Sequence, residues 1–164
     1  MINDTVYTIL IAKNKIQWYG TAAGVIMHPS SDFRDQWIYY TISDGLPDTR
    51  IWKLYEDKNN RIWAISEHGA AYYDGSSWKN LLTVSSMRPS FAEDAEGNMW
   101  FASNDGLHRF SSTWETFTTQ NGLSDNFVNC VSVSGDGSIW ACTKNGATHI
   151  KDGKFTIYRA ITQN

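Results

Sequence analysis

Between Phe127 and Tyr158 apolar and polar residues alternate in four short runs: Phe127–Val133, Ser138–Thr143, Ala147–Ile150 and Lys154–Tyr158. A period of two predicts strands with one buried face. The runs are separated by Gly135-Asp136-Gly137, Asn145-Gly146 and Lys151-Asp152-Gly153, all of them turn chemistry. Asn-Gly is a strong hairpin signal, because both turn positions need positive φ. The plan recurs upstream, with turns at Lys58-Asn59-Asn60, His68-Gly69 and Asp74-Gly75, then at Ala95-Glu96-Gly97, Asp105-Gly106 and Ser111-Ser112. No segment carries a sustained helical period. Pro89 stands just ahead of Ser90-Phe91-Ala92, where a strand start tolerates proline.

The tryptophans show that these units are repeats. Trp18, Trp63, Trp100 and Trp140 each close a short strand-like run, and each is followed six residues later by glycine: Gly24, Gly69, Gly106 and Gly146. A second aromatic follows each glycine, at Trp37, Trp78, Trp114 and Phe155. Trp52 alone lies outside both sets. Four repeats of about 41 residues fill the 164. Four short antiparallel strands at this period predict an all-β fold, a β-propeller of four blades. The expected blades cover about 5–49, 50–87, 88–126 and 127–164 of a single domain 1–164. The repeat-phased tryptophans are expected to fill the wedges between blades. Four whole blades in phase predict a closed monomer running from about Thr5 to Ala160. The alternatives are a half-ring that dimerises into an eight-bladed propeller, or a fragment of a longer protein.

Composition narrows the partners. A net charge of −3, from 14 basic and 17 acidic residues, favours neither nucleic acid nor an anionic membrane. No apolar run is long enough to span a bilayer. Val6–Ile11 lacks a basic n-region, follows Asp4 and precedes Lys13, and reads as a strand, not a signal peptide. This leaves a cytoplasmic chain or one whose signal has been removed. Cys130 and Cys142 flank the turn at Asp136, so they face each other across two strands. They are either a disulfide or small buried hydrophobes.

The residues resemble a known repeat. Asp44-Gly45-Leu46-Pro47-Asp48 followed by Leu54-Tyr55-Glu56-Asp57-Lys58-Asn59-Asn60-Arg61-Ile62-Trp63 is similar to the two-component regulator propeller repeat. Its form is G-L-P-x-N, a strand, E-D-x-x-G-x-[LI]-W-[IF]-G-T, then x-x-G-[LI]. Ala92–Ser103 with Asn104-Asp105-Gly106-Leu107, the linker Gly122–Asn126, and Trp18-Tyr19-Gly20-Thr21 match further parts. The resemblance implies a bacterial sensor propeller, periplasmic or extracellular, of a kind that often recognises carbohydrate fragments. This chain shows only four repeats and no membrane helix, kinase or regulator segment.

In a propeller the loops joining strands two and three share a face with the linkers between blades. That face would carry Glu67, His68, Asn104, Asp105, Lys144 and Asn145 from the hairpins, and Asp44, Asp48, Arg50, Asp125 and Asn126 from the linkers. Such convergent polar groups suit a glycan or other polar small ligand. Turn chemistry alone would also place Asn, Asp and Gly there. Trp37, Tyr39, Tyr40, Tyr73 and Trp78 are candidate rim aromatics for sugar stacking. His28, His68, His108 and His149 are out of phase, and no metal-ligand spacing exists, so neither metal nor cofactor is expected. Asp57-Lys58-Asn59 and Asp94–Gly97 resemble a calcium loop only faintly and lack its ligand series. Glu93-Asp94 falls on the opposite face without a partner acid. No nucleophile signature stands out. The sequence thus reads as a non-catalytic binding module. A protein-interaction or assembly scaffold is the alternative, and a lyase or hydrolase on the same frame is third.

Overall fold

The computed structural model describes residues 5–29, 36–84 and 87–159. The strands form four antiparallel four-stranded sheets. The first holds β1 (Val6–Ile11), β2 (Gln17–Thr21), β3 (Gly24–His28) and β4 (Ile38–Tyr40). The second holds β5 (Lys53–Glu56), β6 (Ile62–Ile65), β7 (Gly69–Tyr73) and β8 (Trp78–Thr83). The third holds β9 (Met87–Glu93), β10 (Met99–Ser103), β11 (Leu107–Phe110) and β12 (Trp114–Phe117). The fourth holds β13 (Val128–Val133), β14 (Ile139–Thr143), β15 (Gly146–Lys151) and β16 (Lys154–Tyr158). Spatial order follows chain order in every sheet, which is the meander of a propeller blade. A 3₁₀ turn at Ile42–Asp44 interrupts the first linker, and no α-helix occurs among the described residues. The chain divides into two compact units, Met1–Thr83 and Val84–Asn164, with two blades each. The strand end expected at Ala160 lies outside the described residues.

The fixed spacing from tryptophan to glycine has a local cause. Midway between them stands a hydroxyl: Thr21, Ser66, Ser103 and Thr143. Each Oγ donates to the carbonyl of its glycine, at 3.0, 3.0, 3.0 and 2.9 Å. The bond closes the hairpin between a blade's second and third strands. The glycines sit at φ of +127°, +159°, +151° and +119°, which an L side chain rarely adopts. A Cβ on Gly106 would also lie 2.6 Å from the Phe117 carbonyl oxygen on β12. The glycine therefore sets both the turn and the approach of the fourth strand.

A second repeated device anchors the tryptophan. The Asp57 carboxylate accepts from Trp63 Nε1 at 2.8 Å, and Asp94 accepts from Trp100 Nε1 at 2.8 Å. The same carboxylates accept the backbone N–H of Arg61 and Asn98, closing the turn between strands one and two. Both acids are buried and committed to this clamp, so the faint calcium-loop pattern is a structural turn. Burial pushes the Asp94 carboxyl up, but its bonds from Trp100 and Asn98 outweigh that and hold it low. Position 12 carries alanine where the next two blades carry Asp57 and Asp94, and Trp18 Nε1 is buried with no hydrogen-bond partner among the described residues.

The cores lie within the units. Trp18, Leu46, Ile51, Leu54 and Trp78 pack together in the first, and Trp100, Leu107, Leu123, Val128 and Ile139 in the second. Leu46 and Leu123 are the leucines of the two Gly-Leu linkers, so that motif plugs the core between adjacent blades. Trp140 departs from the expected role: it is half-buried, against His149 and Tyr158. Trp78 is only 5% exposed and is not a rim aromatic. Tyr40 and Tyr73 are half-buried beside it, and Trp37 leans on Tyr19 and His28. Tyr39 is the exposed one of that set. Pro89 lies inside β9, where the ladder to β10 shifts register between Phe91 and Met87. Cys130 and Cys142 pair across β13 and β14 as a disulfide, with Cα atoms 5.0 Å apart. Cys142 is exposed, so this pair is not the buried alternative.

Asp57→Ala should destabilise the first unit by about 2–4 kcal/mol, because Trp63 Nε1 and two backbone N–H groups lose their acceptor. Gly106→Ala should cost about 1–3 kcal/mol from positive-φ strain. Urea unfolding monitored by tryptophan fluorescence measures both.

Candidate functional site

The linker between the first two blades ends at Pro47-Asp48-Thr49-Arg50, and the hairpin from β6 to β7 carries Glu67-His68. These segments enclose a hollow of about 210 Å³, lined by Asp48, Thr49, Arg50, Trp52, Glu67 and His68. Four of the eleven residues expected at the site from sequence therefore converge here. The centre is the bond from His68 Nδ1 to Asp48 Oδ2, at 2.7 Å. The other Asp48 oxygen accepts the Thr49 N–H at 2.6 Å and, two residues on, the Arg50 N–H at 3.5 Å, which orients the carboxylate as an Asx turn.

The pair tunes both groups. The bond from Asp48, with its charge, raises the His68 imidazole above its ordinary value despite some desolvation. Burial pushes Asp48 up, but the bond from His68 and the backbone N–H groups of Thr49 and Arg50 bring it below the usual carboxylate range. The hollow then offers donors from Arg50 and His68, acceptors from Asp48 and Glu67, and the half-buried ring of Trp52. Opposite charges nearly balance. Such a surface offers hydrogen bonds of both kinds without selecting for charge.

The second unit repeats the linker-to-hairpin bond with other chemistry. Asn145 Nδ2 donates to Asp125 Oδ2 across the same 20-residue separation that joins Asp48 to His68. Lys144 beside it is exposed. On the hairpin from β10 to β11, Asp105 bonds Ser103 and lies 3.4 Å from His108 Nε2. Asn104 Oδ1 is buried with no partner among the described residues. Asp44 is elsewhere occupied, accepting from Thr41 N at 2.7 Å to cap the 3₁₀ turn. Asn126 likewise accepts from Thr119 N.

Ser103, His108 and Asp105 bring a serine, a histidine and an acid together, which sequence spacing did not reveal. Their arrangement is not that of a nucleophile. Ser103 is fully buried and its Oγ already donates to the Gly106 carbonyl. Serine and aspartate both meet Nε2, whereas Nδ1 faces Thr116 at 2.9 Å. A triad instead places base and orienting acid on opposite nitrogens. Burial lowers the His108 imidazole in spite of Asp105.

Sequence reasoning missed Thr49 and Trp52 as lining residues. The signal was available: Trp52 is the tryptophan outside the repeat phase, so blade packing does not explain it.

With fold and geometry established, the family can be read directly. The family model for the two component regulator propeller matches residues 45–68 and 82–105. Those two segments are two-component regulator propeller repeats. The first match ends at His68 and the second at Asp105, so each spans a linker, a first hairpin and the start of the next. No curated protein matches the chain's sequence. Among solved structures, one described as the extracellular domain of a hybrid two component system from B. thetaiotaomicron aligns with TM-score 0.71 and 23% identity, covering 95% of this chain and 23% of that one. The extracellular domain of a one component system from the same organism aligns with TM-score 0.70 and 20% identity, over 95% of this chain and 25% of that one. Virginiamycin B lyase from Staphylococcus aureus aligns with TM-score 0.65 and 14% identity, over 96% and 56%. These likenesses show the propeller fold. The chain spans about a quarter of the length of the two sensor-type structures.

The His68 imidazole should titrate above its ordinary value of about 6.5 by NMR, and Asp48→Asn should return it towards that value. The sign follows from linkage: the pair's contribution to stability is full below the ordinary imidazole pKa and fades as pH rises through the raised one. On the acid side it fades as pH falls through the depressed Asp48 value.

Proposed function

We propose that this chain is a non-catalytic, sensor-type propeller module that binds a carbohydrate or similarly polar ligand. The hollow at Asp48, Arg50, Trp52, Glu67 and His68 is its centre. The observation that carries the reading is the Trp52 ring beside a charge-balanced set of donors and acceptors. Aromatic faces take up the apolar side of a sugar ring, while paired polar groups meet its hydroxyls. Asp44, Asn104, Asp105, Asp125, Lys144 and Asn145 are further polar groups on linkers and hairpins. The four blades, over about 5–49, 50–87, 88–126 and 127–164, act as one domain in this reading. The sensor-type neighbours support the module's role, and the distant lyase keeps turnover worth testing.

A second reading, assembly with another copy of the chain, has an observation of its own. Tyr7, Ile9 and Ile11 alternate along β1 and so share one face, with Ile9 62% and Ile11 65% exposed. A row of exposed apolar side chains of this kind fits packing on a neighbouring blade.

Calorimetry against a panel of soluble oligosaccharides tests the first reading. At least one glycan should bind, and Trp52→Ala and His68→Ala should each weaken it about tenfold, or roughly 1.4 kcal/mol. Absence of glycan binding with a solution mass of two chains would favour assembly. Turnover of a bound glycan would end the non-catalytic assignment.

A further inference from the structure

A larger hollow, about 530 Å³, opens in the second unit on the opposite side of its blades, among the turns that join strands one to two and three to four. None of the eleven residues expected from sequence lines it. Its origin is visible by comparing the two units position by position, because each consists of two blades in the same repeat register.

In the first unit the equivalent space is filled. Trp18, Tyr40, Tyr73 and Trp78 form a four-ring cluster with centroid separations of 5.3–6.2 Å. Met27 and Ile16 join it as apolar neighbours. Lys13 ties the adjacent turns together, its backbone N–H bonded to Glu56 at 2.8 Å and its Nζ to Asn60 at 3.1 Å.

In the second unit the strand pairings assign the counterparts. Trp100 pairs with Arg109 where Trp18 pairs with Met27, and Ile150 pairs with Phe155 where Tyr73 pairs with Trp78. Two rings thus shrink: Tyr73 is replaced by Ile150 and Trp78 by Phe155. Two apolar side chains become charged: Met27 is replaced by Arg109, and Ile38 by Glu115. The lysine tie is lost, because Ala95 stands where Lys13 stood, and Val133 and Gly137 stand where its acceptors Glu56 and Asn60 stood. The space left by the missing ring volume is the hollow, and Phe117 and Phe155, 5.7 Å apart, border it.

The charge of its walls is one-sided. Five carboxylates line the hollow against two cations, Arg109 and Lys151. Arg109 is held by Glu115 and Lys151 by Asp136. Glu96 and Asp152 form no salt bridge among the described residues, so the lining keeps uncompensated negative charge.

We propose that this hollow is a second binding site, and that it takes a small aromatic ammonium ion. The ring enters where the first unit places its own tyrosine and tryptophan, against the faces that Phe117 and Phe155 turn to the hollow. The ammonium meets the surplus carboxylates at the mouth. Shape and charge both enter: a flat ring replaces lost ring contacts, and a cation is favoured by the acidic walls and by the aromatic faces. The volume falls within the range of small-molecule sites. This inference is independent of the glycan reading, which concerns other residues.

Calorimetry on the full chain tests it with tryptamine, 3-indolepropionate and n-hexylamine as probes. Tryptamine should bind at least tenfold more tightly than the indole acid, which keeps the ring and reverses the charge, and more tightly than hexylamine, which keeps the charge and lacks the ring. Refilling the hollow with the first unit's side chains, Ile150→Tyr with Phe155→Trp, should weaken tryptamine at least tenfold. Ala95→Lys, a surface change that adds a cation between the lining residues Asp94 and Glu96, should weaken it several-fold. It decides the matter alone if the double variant does not fold. Equal binding of amine and acid, no tryptamine binding, or undiminished binding in a folded refilled variant would overturn the proposal.

Discussion

A hydroxyl bonded to a glycine carbonyl three residues later organises every blade. At Thr21, Ser66, Ser103 and Thr143 this bond closes the hairpin between the second and third strands. The glycine holds a positive φ and leaves room for the fourth strand's backbone. With the hairpin fixed, the register of the central strands is fixed, and the tryptophan three residues before the hydroxyl is held at one depth in the blade. The remaining strands add to this hairpin as a meander, since successive antiparallel strands need only short turns. Four repetitions of one local constraint thus produce four equivalent sheets.

Between blades the physics changes from hydrogen bonding to space filling. Interiors tolerate little void, so ring volume at one position must be matched by its neighbours. The first unit meets this with four rings and a lysine tie. The second carries smaller and charged side chains at the same register positions and retains a hollow. Repeats related by the same backbone therefore differ where side-chain volume, not strand pairing, is under variation. Function in a repeat protein is free to diverge at such positions, because the hairpin bonds that hold the blade do not depend on them.

The polar hollow of the first unit follows a different logic. Linker and hairpin come together because Leu46 anchors the linker in the core and Gly69 turns the hairpin beneath it. Asp48 is then oriented by its own backbone amides and meets His68. The mutual bond shifts both groups towards their charged forms. In the second unit the same linker-to-hairpin geometry is held by Asp125 and Asn145, an amide in place of the imidazole.

Periodicity in the sequence was sufficient to determine the strands, the four blades and the repeat family. Those features arise from contacts a few residues apart, and short spacings are written directly in the chain. It also placed Asp48, Arg50, Glu67 and His68 on one face, because turn positions are local. The convergence of those four around Trp52, the burial of Trp78 and the clamping of Asp57 and Asp94 on tryptophan were decided only by tertiary structure. So was the hollow beside Phe155. It depends on how much ring volume two neighbouring blades supply together, and no single repeat encodes that sum.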